Sequence, residues 1–585
     1  MDSANVLNKI LSPVIVTAAL CCAQAGFAQQ STSPIRLNQV GFYPDSKKMA
    51  ILTDNVNSKN FYVVAEKSKD TVYKGQLSAP IKSDYSSITT KTADFSSVKK
   101  QGKYYLFVPG EGNSYTFSID KNVLEEVSKS VIKGYYYQRA SMPLEEKYAG
   151  KWHRASGYPD TKVLVHPSAA GKGRATGFVI SSPKGWFDAG DYNKYIINSG
   201  ITVATLLSAY EDYPEYYKSL NLNLPESGNG LPDILNETLY NLDWMLSMQD
   251  PNDGGVYAKC TDADFNAMIL PELATGTRYV VQKSTPAALD FAADMAYASR
   301  VFKAFEKQLP GYSAKCLAAA KSAWNWAEQH PDVYYDQNAL NKSFDPDITT
   351  GAYGDKNIKD EWLWAATELL VTTKDKQYTK VFNERINDGV SIPGWSNVGM
   401  LAYYTILKNQ DSGVFSAEVL TKVKSATIAM ADALLANGNK AFATIMGQSK
   451  GDYIWGSNSV AGNQGILLLK VYAITRDKKY FEGALTNVDY LLGRNATGYC
   501  FVTGAGTKPS IHPHHRLSEG DGVVEPVPGL VVGGPNPGMQ DKAFYPFTEP
   551  ETAYTDIAES YASNEIAINW NAPIVYLINA INFYY

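Results

Sequence analysis

The apolar residues of this 585-residue chain change their spacing once, near Lys121. Before that point they alternate with polar residues, and Tyr104, Leu106 and Val108 share one face of a predicted strand. After it they recur every three or four positions, as on one side of a helix, and this spacing continues to the C-terminus. The chain is long enough for more than one domain. The sequence therefore predicts a small all-β domain followed by a much larger helical domain.

The predicted all-β domain covers residues 33–120. Strand patterns at Phe61–Val64 and Ser114–Phe117 are separated from their neighbours by turn signals such as Lys74-Gly75. Short strands between frequent turns are typical of a β-sandwich. The segment contains no tryptophan and no aromatic strip suited to glycan contact. We therefore expect it to brace the helical domain, and the alternative is a glycan-contacting module.

The predicted helical domain covers residues 121–585. Leu235, Leu239, Leu242 and Leu246 form one of its apolar stripes, which are typical of a helix face in a core. Further helical patterns lie near residues 313–329, 358–373, 396–408, 416–436, 459–475 and 478–492. No short-period repeat is visible, which favours a closed helical barrel over a stacked solenoid. Long Gly/Pro/Asp-rich loops separate the helices, and such loops usually carry function.

The N-terminus is typical of a secretory signal peptide over residues 1–28. An apolar run, Ile10 to Ala23, is too short to span a bilayer, and the small residues of Gly26-Phe-Ala28 fit a cleavage site. Lipid anchoring through Cys21 or Cys22 is the alternative, which the bulky Leu20 disfavours. We expect a protein that is secreted or periplasmic.

Composition argues against several classes of partner. The chain has 54 Lys and Arg against 59 Asp and Glu, a formal net charge of −5, and no basic run. Nucleic acid and anionic membranes are therefore not expected, and no later segment is apolar enough to cross a membrane. Beyond the signal, Cys260, Cys316 and Cys500 are too few and too scattered for a disulfide framework, and whether any of them pair stays open.

Two acidic residues, Asp188 and Asp191, stand three positions apart in Gly185-Trp-Phe-Asp-Ala-Gly-Asp-Tyr-Asn-Lys-Tyr195. Gly190 permits a turn that aims both carboxylates at one point. Two acids this close resist ionising together, so one keeps its proton to higher pH or both hold one water. Aromatic neighbours such as Trp186 suit a sugar-lined cleft. The alternative is a helix N-terminus with an Asp as its cap.

A second acidic stretch lies near the C-terminus, where Asp556 and Glu565 stand among Tyr554 and Trp570. A Glu among aromatic and aliphatic neighbours has a raised pKa, which a general acid requires. The alternative makes Glu565 an ordinary residue at a helix start.

A third stretch, Ser510 to Ser518, holds three of the six histidines beside Arg516. Imidazoles are common zinc ligands, but Pro513 favours an irregular loop over a single ligand-bearing face. We therefore expect a hydrogen-bonding loop rather than a metal site.

Together these stretches resemble the family 9 glycoside hydrolases, the inverting cellulases, over nearly the whole chain after the signal. Tyr554 to Ala572 fit the family's second signature, and Val502 to Arg516 fit its first. Asp188-Ala-Gly-Asp191 matches the family's catalytic Asp pair. Ile35 to Gly41 resembles the immunoglobulin-like module found in one branch. Four shorter blocks are also similar: Gly230–Leu235, Trp244–Gln249, Trp455–Asn458 and Tyr490–Asn495.

This resemblance implies an (α/α)6 barrel with an open cleft, preceded by a small immunoglobulin-like sandwich. It implies cleavage of internal β-1,4-glucosidic bonds with inversion. Asp191 would be the general base, Asp188 would hold the attacking water, and Glu565 would be the general acid. In inverting enzymes the acid and base carboxyls lie roughly 6.5–9.5 Å apart, which leaves room for that water.

The resemblance also implies roles around these acids. Asp556 would support the acid region and His514 would bind sugar near the cleavage point. Trp570 stands where members of the family commonly have Tyr. The expected substrate-binding residues are Arg516, Trp570, Trp186, Trp455 and Tyr554.

No cofactor is expected for catalysis. Many members have a zinc site after the Trp-x-Arg that is here Trp152-His-Arg154, but the following Ala155 to Asp160 lacks its usual ligands, so zinc is not expected. Structural calcium occurs in the family, and its ligands cannot be assigned from this sequence. The expected substrates are soluble or amorphous β-glucans (cellulose, mixed-linkage glucan or xyloglucan), and we expect a monomer.

Two alternatives keep the fold but change the function. One is an exo-acting β-glucosidase or glucosaminidase that works on oligosaccharides, which cleft loops would decide. The other is a catalytically dead glycan-binding protein, against which the presence of all the expected acids argues.

Overall fold

The computed structural model of the chain describes residues 33–53 and 56–585, and the predicted signal peptide lies outside them. The first part forms two sheets, with strand orders β1-β3-β7-β6 and β2-β10-β8-β4-β5, and β9 also pairs with β8. Apolar residues of both sheets share one core. The strands are β1 Ile35–Arg36, β2 Gly41–Phe42, β3 Met49–Leu52, β4 Asn60–Ala65, β5 Thr71–Gln76, β6 Ile81–Lys82, β7 Thr89–Asp94, β8 Gly102–Val108, β9 Gly112–Asn113 and β10 Phe117–Ile119.

Strand β8 has the predicted alternation. Tyr104, Leu106 and Val108 are buried, whereas Phe107 is 39% exposed. The strand predicted at Ser114–Phe117 begins later, because the Ser114 hydroxyl takes the place of a backbone acceptor for the N–H of Leu106. A local side-chain bond of this kind interrupts the ladder.

Twelve helices of the described chain form the second part. Six are largely buried and each packs beside a more exposed partner. They are α1 Glu125–Tyr137, α2 Ile196–Asp212, α3 Asp233–Ser247, α4 Thr285–Phe302, α5 Tyr312–Gln329, α6 Lys359–Thr373, α7 Thr379–Arg385, α8 Gly399–Lys408, α9 Ala417–Asn437, α10 Ser457–Thr475, α11 Lys478–Leu491 and α12 Ile568–Tyr584.

The even-numbered helices form the inner ring of a barrel. Helix α2 packs on α4, α4 on α6, α6 on α8, and α10 on α12, which returns to α2, while α9 contacts both α8 and α10 and completes the circuit. The odd-numbered helices lie outside, as α5 does on α4 and α11 on α10. This arrangement confirms the predicted mainly α fold, a barrel of paired helices preceded by a β-sandwich. The predicted helices near 313–329, 358–373, 396–408, 416–436, 459–475 and 478–492 are observed within a few residues.

Loops between the barrel helices carry a third sheet, ordered β12-β11-β15-β14-β13. The pairing of its edge strand β13 with β14 sets Tyr195 opposite Lys259. The strands are β11 Val163–Val165, β12 Val179–Ile180, β13 Lys194–Tyr195, β14 Lys259–Thr261 and β15 Tyr279–Val280. Short helices at Glu146–Ala149, Pro214–Ser219, Gln337–Asn341, Arg516–Gly520 and Tyr561–Asn564 complete the loops.

The sandwich contacts two of the loops that lead to the predicted site. The Gln39 side-chain carbonyl accepts hydrogen bonds from the backbone N–H groups of Thr507 and Lys508 at 3.0 and 2.7 Å. The buried Glu551 carboxylate accepts from the hydroxyls of Ser83, at 2.6 Å, and Ser86. These contacts are those of a brace, and they support the expectation for this domain.

Cys260, Cys316 and Cys500 are buried free thiols, so none of the three is paired. Across residues 33–53 and 56–585, no helix combines the length and the hydropathy needed to cross a bilayer.

Candidate active site

A cavity of about 400 Å³ brings together three predicted acids, Asp188, Asp191 and Glu565. Glu565 lies more than 370 positions after the two aspartates in the sequence, and loops at one side of the barrel bring the three acids together. Aromatic faces suit the apolar faces of sugar rings, and carboxylates suit their hydroxyls. The aromatic residues that line the cavity are Tyr195, Phe265, Tyr353, Trp395, Trp455 and Trp570.

The two aspartates lie on a closed turn. The backbone N–H of Asp188 donates to the carbonyl of Asn193 at 3.0 Å. A Cβ on Gly190 would lie 2.1 Å from the carbonyl oxygen of His514, so this close approach, rather than a left-handed backbone, requires glycine. Helix α2 begins only at Ile196, so the alternative of an aspartate cap at a helix N-terminus is wrong.

Asp188 is fixed from two sides. Its Oδ1 accepts from the side-chain amide of Asn198 at 2.6 Å, and its Oδ2 accepts from the Tyr353 hydroxyl at 2.7 Å. Burial, and then the negative charge of Asp191, raise the pKa of Asp188 to about 8, although both hydrogen bonds oppose the shift. The pair therefore holds a proton at neutral pH, as expected for two adjacent acids.

Asp191 is held through one oxygen. Its Oδ2 accepts from the side-chain amide of Asn193 at 2.5 Å and from the Tyr195 hydroxyl at 3.2 Å. The side-chain oxygen Oδ1 of Asn193 in turn accepts from the hydroxyl of Thr261 on β14. These bonds fix the orientation of the carboxylate, which a general base requires.

Glu565 lines the same cavity as the two aspartates. It follows the short helix Tyr561–Asn564 in an extended conformation, three residues before α12, so the helix-start alternative is wrong. Its Oε1 accepts from the backbone N–H of Gly190 at 3.3 Å. Burial, and then the charge of Asp191, raise the pKa of Glu565 well above its ordinary value, while Arg516 opposes the shift. A carboxyl that keeps its proton is suited to general acid catalysis.

His514 is positioned by the residues around the acid. Its Nδ1 lies 2.6 Å from the carbonyl oxygen of Ala558, which can only accept, so Nδ1 carries the proton. Burial lowers the pKa of His514, which keeps the ring neutral with Nε2 as an acceptor. His515 instead contacts Gln138 and Ser518. The predicted hydrogen-bonding loop is thus observed.

Arg516 and Asp556 connect backbone segments. The Arg516 guanidinium donates to the carbonyls of Gly190 and Asn266, both at 2.8 Å. The Asp556 carboxylate accepts from the Ser510 hydroxyl and from the N–H groups of residues 511 and 512. Asp556 therefore connects the histidine loop with the acid segment, where it also contacts Asn564, whereas its role in catalysis and sugar contact by Arg516 stay predictions.

Two expected substrate-binding residues are contradicted by their burial. Trp186 has no exposed surface, packs on Tyr135 at 4.5 Å between ring centroids, and lies in the core. Tyr554 is 3% exposed and donates its hydroxyl to Asn564 at 2.6 Å. Aromatic residues near acids in the sequence were assigned to the cleft, but the core of a large barrel takes such rings too.

Trp455 and Trp570, by contrast, line the cavity as predicted residues should. Trp455 is 41% exposed and packs on Tyr561 at 5.3 Å. Tyr353, Trp395 and Phe265 are further lining residues that sequence reasoning missed. They lie outside the matched motifs, and the only signal for them was the general presence of long Gly/Pro/Asp-rich loops between the helices.

One buried acidic cluster, away from the cavity, fits the expected structural calcium ion in part. Both carboxylate oxygens of the fully buried Asp290 are without a hydrogen-bond partner in the described chain, and nearby Asp360 and Asp355 help to raise its pKa. Oxygen-rich, anionic surroundings suit a hard cation. Among the described residues, however, no three His, Cys, Asp or Glu side chains are placed to hold a metal ion.

Comparison with known proteins decides the family. The sequence model of glycosyl hydrolase family 9 matches residues 125–578, and that of the cellulase N-terminal ig-like domain matches residues 30–113. The chain belongs to glycosyl hydrolase family 9. The resemblance read from the two signatures is thereby confirmed.

Two relatives of this family 9 hydrolase and one solved structure are similar over most of their own length. The xyloglucan-specific endo-beta-1,4-glucanase BoGH9A of Bacteroides ovatus is 44% identical over 551 residues, 94% of this chain and 93% of that protein. Endoglucanase D of Acetivibrio thermocellus is 34% identical over 579 residues, 98% of this chain and 87% of that protein. A solved structure of Bacteroides ovatus GH9 superposes with a TM-score of 0.89 at 43% identity, covering 94% and 99% of the two chains.

Proposed function

We propose that this family 9 hydrolase is an inverting endo-β-1,4-glucanase acting on soluble or amorphous β-glucans. One observation carries the proposal: Glu565 and the Asp188–Asp191 pair line one aromatic cavity, and the N–H of Gly190, between the two aspartates in the sequence, donates to Glu565. The acid would keep its proton because burial raises its pKa, and the pair would supply the base. Inversion requires these two groups on opposite faces of the sugar.

The reaction would proceed in one displacement. Asp191 would accept a proton from a water molecule as the water oxygen attacks the anomeric carbon. Glu565 would give its proton to the glycosidic oxygen as that bond breaks. Asp188, held by Asn198 and Tyr353, would fix the position of the water. Both protons are then accounted for, since one leaves the water and one reaches the departing sugar.

The substrate is proposed from the relatives and the cavity. Two relatives are named as endoglucanases, and the one at 44% identity is named as xyloglucan-specific. Trp455, Trp395 and Phe265 would stack on glucose rings. We propose xyloglucan as the first polymer to test, with mixed-linkage glucan and amorphous cellulose beside it. His514 and Arg516 would contact hydroxyls near the cleaved bond.

Release of reducing ends from these three polymers by the mature protein tests the proposal, with Glu565→Gln assayed in parallel. We expect release by the wild type, in endo fashion, and loss of nearly all of it in the variant. Release of single sugars from chain ends would instead favour exo-action, and no release from any glucan would favour the binding-protein alternative.

We also propose export through residues 1–28, a monomeric state, and catalysis without a cofactor. A structural calcium ion stays an expectation from the family, without assigned ligands. Mass spectrometry of the exported protein, its sedimentation, and its melting temperature with and without a chelator test these proposals separately.

A further inference from the structure

Lys259 is a buried cation behind the two aspartates. It is 1% exposed and begins strand β14, directly opposite Tyr195. Its amine lies 2.7 Å from the side-chain oxygen of Gln337, 2.9 Å from the Thr350 hydroxyl and 2.7 Å from the Gly351 carbonyl. Three short contacts to oxygen match the three N–H donors of an ammonium group. None of these acceptors is a carboxylate, so the charge is held without a direct ion pair.

The first connection runs from Lys259 to Asp188 through a turn. By holding Thr350 and Gly351, the amine fixes the start of the turn that carries Tyr353. Tyr353 adopts a left-handed backbone with φ of 46°, which a side chain adopts only when its surroundings impose it. Its hydroxyl then donates to Asp188.

Two more connections run from Lys259 to Asp191. The amine lies 5.5 Å from the ring centroid of Tyr195, whose hydroxyl donates to Asp191. The Thr350 hydroxyl contacts that of Thr261 at 2.6 Å, and Thr261 contacts Asn193, which also donates to Asp191. A single buried amine thus stands behind each hydrogen bond that Asp191 receives.

The charges around this amine are few. The rings of Tyr195 and Tyr335 cover the amine, and Asp191 is the anion that attracts it. The positive charge of the amine also helps to lower the pKa of His166, after burial. Burial lowers the pKa of Lys259, and Asp191 opposes that shift. The electrostatic attraction between the ammonium group and Asp191 acts on both residues.

We propose that Lys259 is a positioning residue, which sets the turn of Tyr353 and both aspartates in the geometry for water activation and balances their negative charge. This inference rests on the proposed function of Asp191 as base. It assigns Lys259 no contact with the substrate.

The test compares Lys259→Met, which removes the charge and the donors, with Lys259→Gln, which keeps an amide donor, and Lys259→Arg, which keeps the charge. We expect kcat to fall about 100-fold in the Met variant while KM changes less than about threefold, within the range for a misplaced base. The acidic limb of the pH profile of kcat/KM should move up by about half a pH unit or more in the Met and Gln variants. In the Arg variant it should return toward its wild-type position.

The outcomes separate the possible failures. If the wild type is active and the acidic limb of the kcat/KM pH profile is unchanged in the Met and Gln variants, the inference is overturned, even if these variants have lower melting temperatures. An inactive wild type would instead overturn the proposed function. A crystal structure of Lys259→Gln needs no activity: a displaced Tyr353 hydroxyl supports the inference, and one still bonded to Asp188 overturns it. If the Met variant does not fold, the Gln variant provides the same test.

Discussion

The base side and the acid side of the cavity are held in different ways. Asp188 and Asp191 receive four side-chain hydrogen bonds, all from elements of the barrel. Glu565 accepts one backbone N–H, and the segments around it are tied to the sandwich through Gln39 and Glu551. The difference indicates a base fixed by its own neighbours and an acid whose position depends on a second domain.

The largest effect is expected from Glu565→Gln. Gln cannot give a proton to the glycosidic oxygen, so kcat on a glucan should fall about 10³-fold, within the usual range for general acid catalysis. Initial-rate measurements of reducing ends check this. Glu559→Gln, an exposed neighbour in the same segment, is the matched control and should keep wild-type activity.

The two aspartates should differ from each other. Asp191→Asn removes the base and should lower kcat about 10³-fold, whereas Asp188→Asn keeps the contacts to Asn198 and Tyr353 and should cost about 10²-fold. The same assay checks both. Equal losses would contradict the separate roles assigned to base and water holder.

The raised pKa of Asp188 has a consequence for stability. Because its pKa rises from 3.8 to about 8 on folding, its stabilising contribution is full below pH 4 and is lost as the pH rises through 8. Asn cannot ionise, so Asp188→Asn should gain melting temperature relative to the wild type between pH 4 and 8, by several degrees. Melting curves across that range check this, with the exposed Asp411→Asn as the control, for which a flat difference is expected.

Removing the brace should affect the acid side first. Glu551→Ala leaves the buried hydroxyls of Ser83 and Ser86 without their acceptor, at a cost of about 1–3 kcal/mol. Melting temperature and kcat should both fall. Glu549→Ala is the matched control, because its carboxylate contacts Ser87 at an exposed position. If the Glu551 variant is as stable and active as this control, the sandwich does not support the acid side of the cavity.

The smallest effect is expected at the cavity wall. Trp455→Ala should raise KM about tenfold with little change in kcat, since loss of one stacked ring costs about 1–1.5 kcal/mol. Phe544→Ala, an exposed ring that does not line the cavity, is the control. A fall in kcat at unchanged KM would place Trp455 in the chemistry instead.

The sequence predicted most of the fold because its periodicity is strong. Helices such as α10 and α11 were expected within three residues of their observed bounds, and the alternation in β8 is seen in its burial. The acids Asp188, Asp191 and Glu565 were predicted because short motifs carry them. Tyr353 and Asn198 were not, since their function arises from contacts across the fold that no local pattern records.

Aromatic residues show most clearly what could not be predicted from the sequence. Trp186 lies two residues before the aspartate motif and Trp455 lies in a block that resembles the family, yet Trp186 is in the core and Trp455 lines the cavity. Sequence proximity to an acid does not tell which way a ring points. Only packing against particular neighbours, Tyr135 in one case and Tyr561 in the other, separates them.

The stereochemistry of the first product tests the central claim most directly. Proton NMR of a fresh cello-oligosaccharide digest shows which anomer forms before mutarotation. An acid at Glu565 and a base at Asp191 acting on opposite faces predict the α-anomer from a β-linked substrate. Initial release of the β-anomer would mean retention, and would contradict the assignment of Asp191 as a base that activates water.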